Sequence, residues 1–335
     1  MMVAAALLGY AVALAVAAPW LLAGWVDRAP RLAIAAWQAV TVSIVGAVVL
    51  GALALTFPTV QMSGNLADLL RECFLAVRAH YASPGGGVTA VLGVALALAV
   101  VGRVVWCTAA ALARAAATRG LLRDMLAVVG RPGPDRQTVV VDHEVPAAYC
   151  LPGARRRIVV TSSALAALDD EQLHAVLAHE RAHLRGRHDL VIAGALALAR
   201  AFPPIAVFHR AHAEVLRLVE LLADDAAVRG SDRLTLAEAL LAVGGGGPAG
   251  ALAAGGSAAG ARVRRLITGH RPIGRRGTAM GSTAVAALLT VPVLLLAAPA
   301  ALALGSHPCP HRPAMTQHMA GQAACPIKDC AHSVR

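Results

Sequence analysis

Four long apolar runs constrain this chain more than any other feature. Val3–Gly24, Leu32–Phe57, a stretch starting near Gly86 and Ser282–Leu304 carry few charges. Each reaches the roughly twenty residues that let a helix cross a bilayer. A chain that is 58% hydrophobic over 335 residues is also too apolar for an ordinary soluble domain. Ala15-Val16-Ala17 imitates a signal-peptide cleavage site, but the positively charged n-region is missing, so the first run is expected to stay as a span. Trp20 and Trp25 suit its interface. Arg103 interrupts the third run. About twenty residues from Gly85 already cross the bilayer, so Arg103 is expected to snorkel at the end of the span, with the helix continuing through Arg114 and Arg119.

Arginine supplies almost all of the +11 net charge, since Lys328 is the only lysine. The loop with Asp27, Arg28 and Arg31 is basic, and Arg262, Arg264, Arg265, Arg271, Arg275 and Arg276 crowd the approach to the fourth run. In the loop 58–87, by contrast, Arg71 and Arg78 are balanced by Asp68 and Glu72. The positive-inside rule then places the segment between spans three and four in the cytoplasm and both chain ends outside. Direct nucleic-acid binding is not expected: the arginines gather beside apolar segments, and few aromatics are present to stack on bases. The expected division is a three-helix membrane region (1–113), a soluble domain (114–280), a fourth membrane helix (281–305) and an outer tail (306–335).

Within the soluble part, Leu173–Arg187 reads LHAVLAHERAHLRGR and contains the pattern H-E-x-x-H at His179-Glu180-Arg181-Ala182-His183. Residues four apart share a helix face, so both imidazoles can reach one metal ion. Glu180, one step round, can face an attacking water instead. Zinc held by two histidines and a carboxylate leaves a position open for chemistry, and Glu180 would serve as general base. Leu173, Val176, Leu177 and Leu184 recur at helical spacing, and Thr161-Ser162-Ser163 offers a helix start. Two carboxylates compete to be the third ligand. Asp189, after Gly186, gives H-E-x-x-H-x-x-G-x-x-D. Glu220 lies in a second helical run, Glu214–Arg229, which Gly230 can end. There it shares a face with Asp224, so one carboxylate can bind metal while the other orients a ligand imidazole.

AVLAHERAHLRGRHD, followed by FPPIAVFHRAHAEVLRLVELLADDAAV, resembles the BlaR/MecR-type antirepressor membrane metallopeptidases. These are relatives of the HtpX and prenyl-protease zinc peptidases and share an E-x-x-A-D-like second motif. The resemblance implies His179, His183 and Glu220 as Zn²⁺ ligands, Glu180 as base and Asp224 behind the ligands. It also implies a protein substrate, with a winged-helix transcriptional repressor as the candidate. It ends after residue 305, where those receptors carry a penicillin-binding sensor, so β-lactam sensing is not expected.

The fold class expected is a mainly α integral membrane protein, with four transmembrane helices and a cytoplasmic zincin-like α+β metallopeptidase domain, in a bacterial plasma membrane. The β-branched runs Thr138–Asp142 and Ile158–Thr161 read as strands. The second of these is the candidate edge that holds an extended substrate by strand addition, and Arg155-Arg156-Arg157 beside it is expected to be a solvated or membrane-facing turn. Phe202–Phe208, apolar and proline-broken, is either a surface-lying segment or a helix junction. Gly244–Gly260 reads as a flexible linker. The tail concentrates Cys309, Cys325, Cys330, His307, His311, His318, His332, Met315 and Met319. Disorder, capture of a soft metal and disulfides, with Cys73 as a further partner, are all open to it. Cys107 and Cys150 read as small apolar residues, and His188, among other histidines, has no partner motif. The function expected is that of a zinc metalloendopeptidase relaying a signal by cutting a repressor. The alternatives are HtpX-like quality control of membrane proteins, and a non-catalytic metal-responsive receptor, which the base at Glu180 argues against.

Overall fold

The computed structural model describes residues 2–56, 75, 78, 85–153, 156–244, 249–269 and 273–305, with the side chains of 244–258 and 299–305 outside that description. The expectations for the tail, for Cys73, for Arg155 and for Arg271 lie outside the described residues.

Four of the described helices are long and apolar enough to cross a membrane. They are α1 (Met2–Leu22), α2 (Pro30–Ala54), α3 (Gly86–Val129) and α10 (Arg275–Gly305). Pro30 opens α2 at a position where its missing N–H costs nothing. Tyr10 on α1 lies 2.9 Å from the Ser43 hydroxyl on α2, and Ser43 donates to the Leu288 carbonyl on α10 at 2.5 Å. Three apolar helices are thereby joined by one small polar knot. At 44 residues α3 is about 66 Å long, roughly twice the hydrocarbon thickness, so only part of it could lie within a bilayer. Arg103 donates from Nε to the carbonyl of Ala201 at 2.5 Å. The cation thereby meets the negative end of another helix.

The C-terminal end of α3 leads into a small sheet of β1 (Arg131–Pro132), β2 (Thr138–Val141), β3 (Ala148–Leu151) and β4 (Arg157–Thr161), in the order β1-β2-β4-β3. β4 runs parallel to β2 and antiparallel to β3. This corrects the edge-strand expectation. Ile158, Val159 and Val160 are fully buried between two neighbours, so β4 has no free backbone edge; the terminal strands are β1 and β3. A continuous β-branched run marks an interior strand, and its place just before the H-E-x-x-H helix does not make it an edge.

That helix is α5 (Asp170–Gly186), reached through the short α4 (Ser162–Ala167). Thr161 caps α4 and not α5. The cap of α5 is Asp169, in a reciprocal box with Gln172. Arg187 in the left-handed region (φ 48°) ends α5 and turns the chain into α6 (His188–Ala201). Phe202–Ile205 then form a helix junction, with the rings of Phe202 and Phe208 4.9 Å apart and Phe208 buried. α7 (Ala206–Ala227) starts earlier than its sequence pattern suggests. Phe208, Ala211, Val215, Leu218 and Val219 repeat at helical spacing and pack with Trp37 and Val40 of α2 in one core. α7 is thus seated directly on one of the long apolar helices. α8 (Arg233–Gly244) and α9 (Ala249–Thr268) complete the layer. The flexible linker expected over Gly244–Gly260 is accordingly helical from Ala249 onward. Frequent alanine there offsets the roughly 1 kcal/mol that each glycine costs a helix.

Candidate metal centre

α5 presents His179 and His183 on one face, and α7 crosses it carrying Glu220. The two Nε2 atoms stand 3.1 Å apart, and each lies 3.5 Å from a Glu220 carboxylate oxygen, His179 from Oε2 and His183 from Oε1. The three side chains can offer one donor atom each within 4.8 Å of one another. Ligand atoms placed tetrahedrally at about 2.0–2.2 Å from a zinc ion are separated by about 3.3–3.6 Å. The observed separations are close to that, and two imidazole nitrogens facing each other at 3.1 Å are poorly served by a single shared proton. Donor set and spacing therefore fit a zinc ion with one coordination position left over. Asp189, the rival carboxylate, is turned away and meets Arg119 of α3 at 3.5 Å.

Behind the ligands, Asp224 Oδ1 sits 3.0 Å from His179 Nδ1. The contact is short but not squarely aligned, and no other group satisfies that nitrogen. Asp224 is 1% exposed. Burial alone would raise its pKa, but hydrogen bonds from Arg262 and His179 outweigh it and bring the carboxyl down to about 2. Burial likewise opposes a charge on His179, yet Asp224 and Glu220 push its pKa up to about 9. Burial wins at His183, which falls to about 4. Glu180 is raised above the ordinary carboxylate range, chiefly by burial, which suits a group that must both accept and return a proton near neutral pH.

Three participants were not recognised in the sequence. Arg262 of α9 donates to both Asp224 oxygens at 2.7 and 2.8 Å and stands 2.9 Å from Glu220. In the sequence it was one more arginine before a membrane span, and a contact across 38 residues has no local signature. His188 places Nδ1 3.0 Å from Nδ1 of His183, brought there by the left-handed turn at Arg187. Its spacing five after His183 was visible but matched no motif. Cys150 on β3 lies beside Glu180, and burial followed by that carboxylate's charge pushes its thiol up to about 12. It is therefore a neutral thiol next to Glu180 and more than a space-filling residue.

These groups line a cavity of about 450 Å³, walled on one side by Ala148, Tyr149 and Cys150 of β3 and on another by Leu236 and Leu240 of α8. In the antiparallel β3–β4 pair, Thr161 N–H donates to the Ala147 carbonyl. The alternation of such pairs makes Tyr149 bond to Val159, so Ala148 and Cys150 turn their backbone N–H and C=O outward, to the open edge.

Residues 113–217 match the family model for Peptidase family M48. The match supports a metallopeptidase. It spans His179, Glu180 and His183 and stops before Glu220 and Asp224, whose participation rests on the geometry above. The narrower BlaR/MecR kinship expected from the sequence goes beyond this match. No significant match was found among curated proteins or solved structures.

Proposed function

We propose that the chain is a membrane-embedded zinc metalloendopeptidase. His179, His183 and Glu220 hold the ion, Glu180 is the general base, and Asp224 orients His179 from behind. The observation that carries this reading is the convergence of two imidazoles and a carboxylate at zinc-ligand spacing, next to a half-buried carboxylate that is not needed as a ligand. When bound, zinc would polarise the scissile carbonyl and acidify a water molecule. An extended substrate would lie along β3, its backbone paired with the outward groups of Ala148 and Cys150. Glu180 would take a proton from the attacking water and return it to the departing amine, its raised pKa matching both transfers. The Cys150 thiol, held neutral, would steady the Glu180 carboxylate between them. Arg262 would hold Asp224 ionised and in register, so that His179 keeps its coordinating nitrogen toward the ion.

For the biological role, the resemblance to antirepressor peptidases supports cleavage of a cytoplasmic transcriptional repressor, with the active site on the cytoplasmic face of a bacterial plasma membrane. The test is Glu180→Gln. The variant should keep its zinc and lose peptide hydrolysis by about 10²–10⁴-fold; near-normal hydrolysis would end the assignment of Glu180. Comparing cytoplasmic proteomes of wild type and variant then reads the role. One cut transcription regulator in wild type supports signalling. Many damaged membrane proteins accumulating in the variant, with no regulator cut in wild type, supports quality control instead.

A further inference from the structure

Beside the metal centre, past His188, lies a second cavity of about 540 Å³, lined by residues of α2, α5, α6 and α7. Three guanidinium-bearing residues line it: Arg31 in the first turn of α2, Arg185 near the end of α5, and Arg229 just beyond α7. Among the described residues no carboxylate lies within ion-pair distance of any of the three. Among the described residues, the one hydrogen bond made by their guanidinium groups is from Arg229 to the backbone carbonyl of Asp225, at 3.3 Å. The remaining wall is largely apolar, with Ile34, Val191, Val219 and Leu222.

We propose that this cavity binds the phosphate headgroup of an anionic phospholipid. Three like charges gathered on one small cavity repel one another unless an anion offsets them, and guanidinium groups match phosphate oxygens in bidentate fashion. An arginine surplus near membrane spans is general. Convergence on one cavity with no carboxylate in its lining and with apolar walls is a more specific arrangement, and it suits a ligand with a charged head and an apolar body. The position selects a lipid over a soluble anion: Arg31 and Ile34 stand at the start of a helix long and apolar enough to cross the bilayer, the level at which headgroups lie. The same cavity is walled by His188, which touches His183, so a bound lipid would sit one side chain away from the metal centre. The proposal does not depend on the catalytic reading.

The test uses the full chain in nanodiscs of phosphatidylcholine alone or of an equal mixture with phosphatidylglycerol. Mass spectrometry of the lipid retained after detergent extraction should show phosphatidylglycerol enriched on the wild type, together with a higher Tm in the mixed discs. Arg185→Gln with Arg229→Gln should abolish both effects, while Arg156→Gln with Arg210→Gln, which removes equal charge elsewhere, should keep them. Equal loss in both pairs would reduce the effect to net charge and overturn the site. So would an equal rise in Tm from inorganic phosphate in phosphatidylcholine discs, which would make the ligand a free anion. Hydrogen exchange on the wild type needs no variant: phosphatidylglycerol should protect residues 182–191 and 219–229 and leave 138–161 unchanged. Absence of that protection refutes the proposal even if the glutamine pair does not fold.

Discussion

His179 and His183 sit one turn apart, yet the fold treats their protons in opposite ways. His179 faces Asp224 and Glu220 and is lifted to about 9, whereas His183 is mainly desolvated and falls to about 4. Without a cation, His179 is therefore charged at pH 7 and His183 is neutral. A metal needs both nitrogens unprotonated, so zinc must expel the His179 proton. Calorimetry at pH 7 in buffers of different ionisation enthalpy should show about one proton released per zinc bound, with affinity rising about tenfold per pH unit until about pH 9. Binding without proton release would contradict this account. The third ligand is tested at the same scale. Glu220→Ala should strip the metal, and Asp189→Ala should leave metal content near normal, because Asp189 is engaged with Arg119. Metal analysis of both purified variants decides the matter, and the reverse pattern would restore the glycine-turn arrangement.

Among the elements, β3 matters more than its four residues suggest. Its side chains show no clean alternation, and Ala148 and Cys150 are poor strand markers, so it was not legible as a strand. Pairing with β4 creates it, and the antiparallel alternation leaves two backbone units free beside the ligands. Ala148→Pro removes an outward N–H without breaking the β3–β4 ladder. Peptide hydrolysis should fall by about tenfold, the loss of roughly one substrate hydrogen bond of 1–1.5 kcal/mol, with zinc content unchanged. If cleavage is unaffected, the substrate does not use this edge. α9 shows the converse: a stretch that composition marks as a linker is helical from Ala249, and its far end delivers Arg262 to the metal centre.

For the molecule as a whole, α6 and α7 share one continuous core with the long apolar helices α1 and α2. Phe208, Val215 and Leu218 of α7 share it with Leu7 of α1 and Trp37 of α2. A shift of α2 would therefore be felt by the helix that carries Glu220. Sidedness follows from arginine placement: reporters fused after Arg119 and after Arg276 should be cytoplasmic, and one fused after Arg335 outside. A cytoplasmic C-terminal reporter would imply an odd number of spans and would reverse the expected exposure of the tail.

Local rules carried a large part of this protein. Apolar run length marked the four long apolar helices, β-branched runs marked β2 and β4, and four-residue spacing paired His179 with His183. Each depends only on neighbours within a turn or a strand. Glu220 and Asp224 were legible for the same reason, as a pair on one helix face, although sequence alone left Asp189 in competition. What only the tertiary structure decided are contacts between distant segments: Arg262 on Asp224, Cys150 beside Glu180, His188 behind His183, and β3 as the open edge. Such groups reach one another because the apolar faces of α2, α5 and α7 pack in a single way. A site assembled by packing leaves no period in the sequence, since what brings its parts together is the burial of other residues.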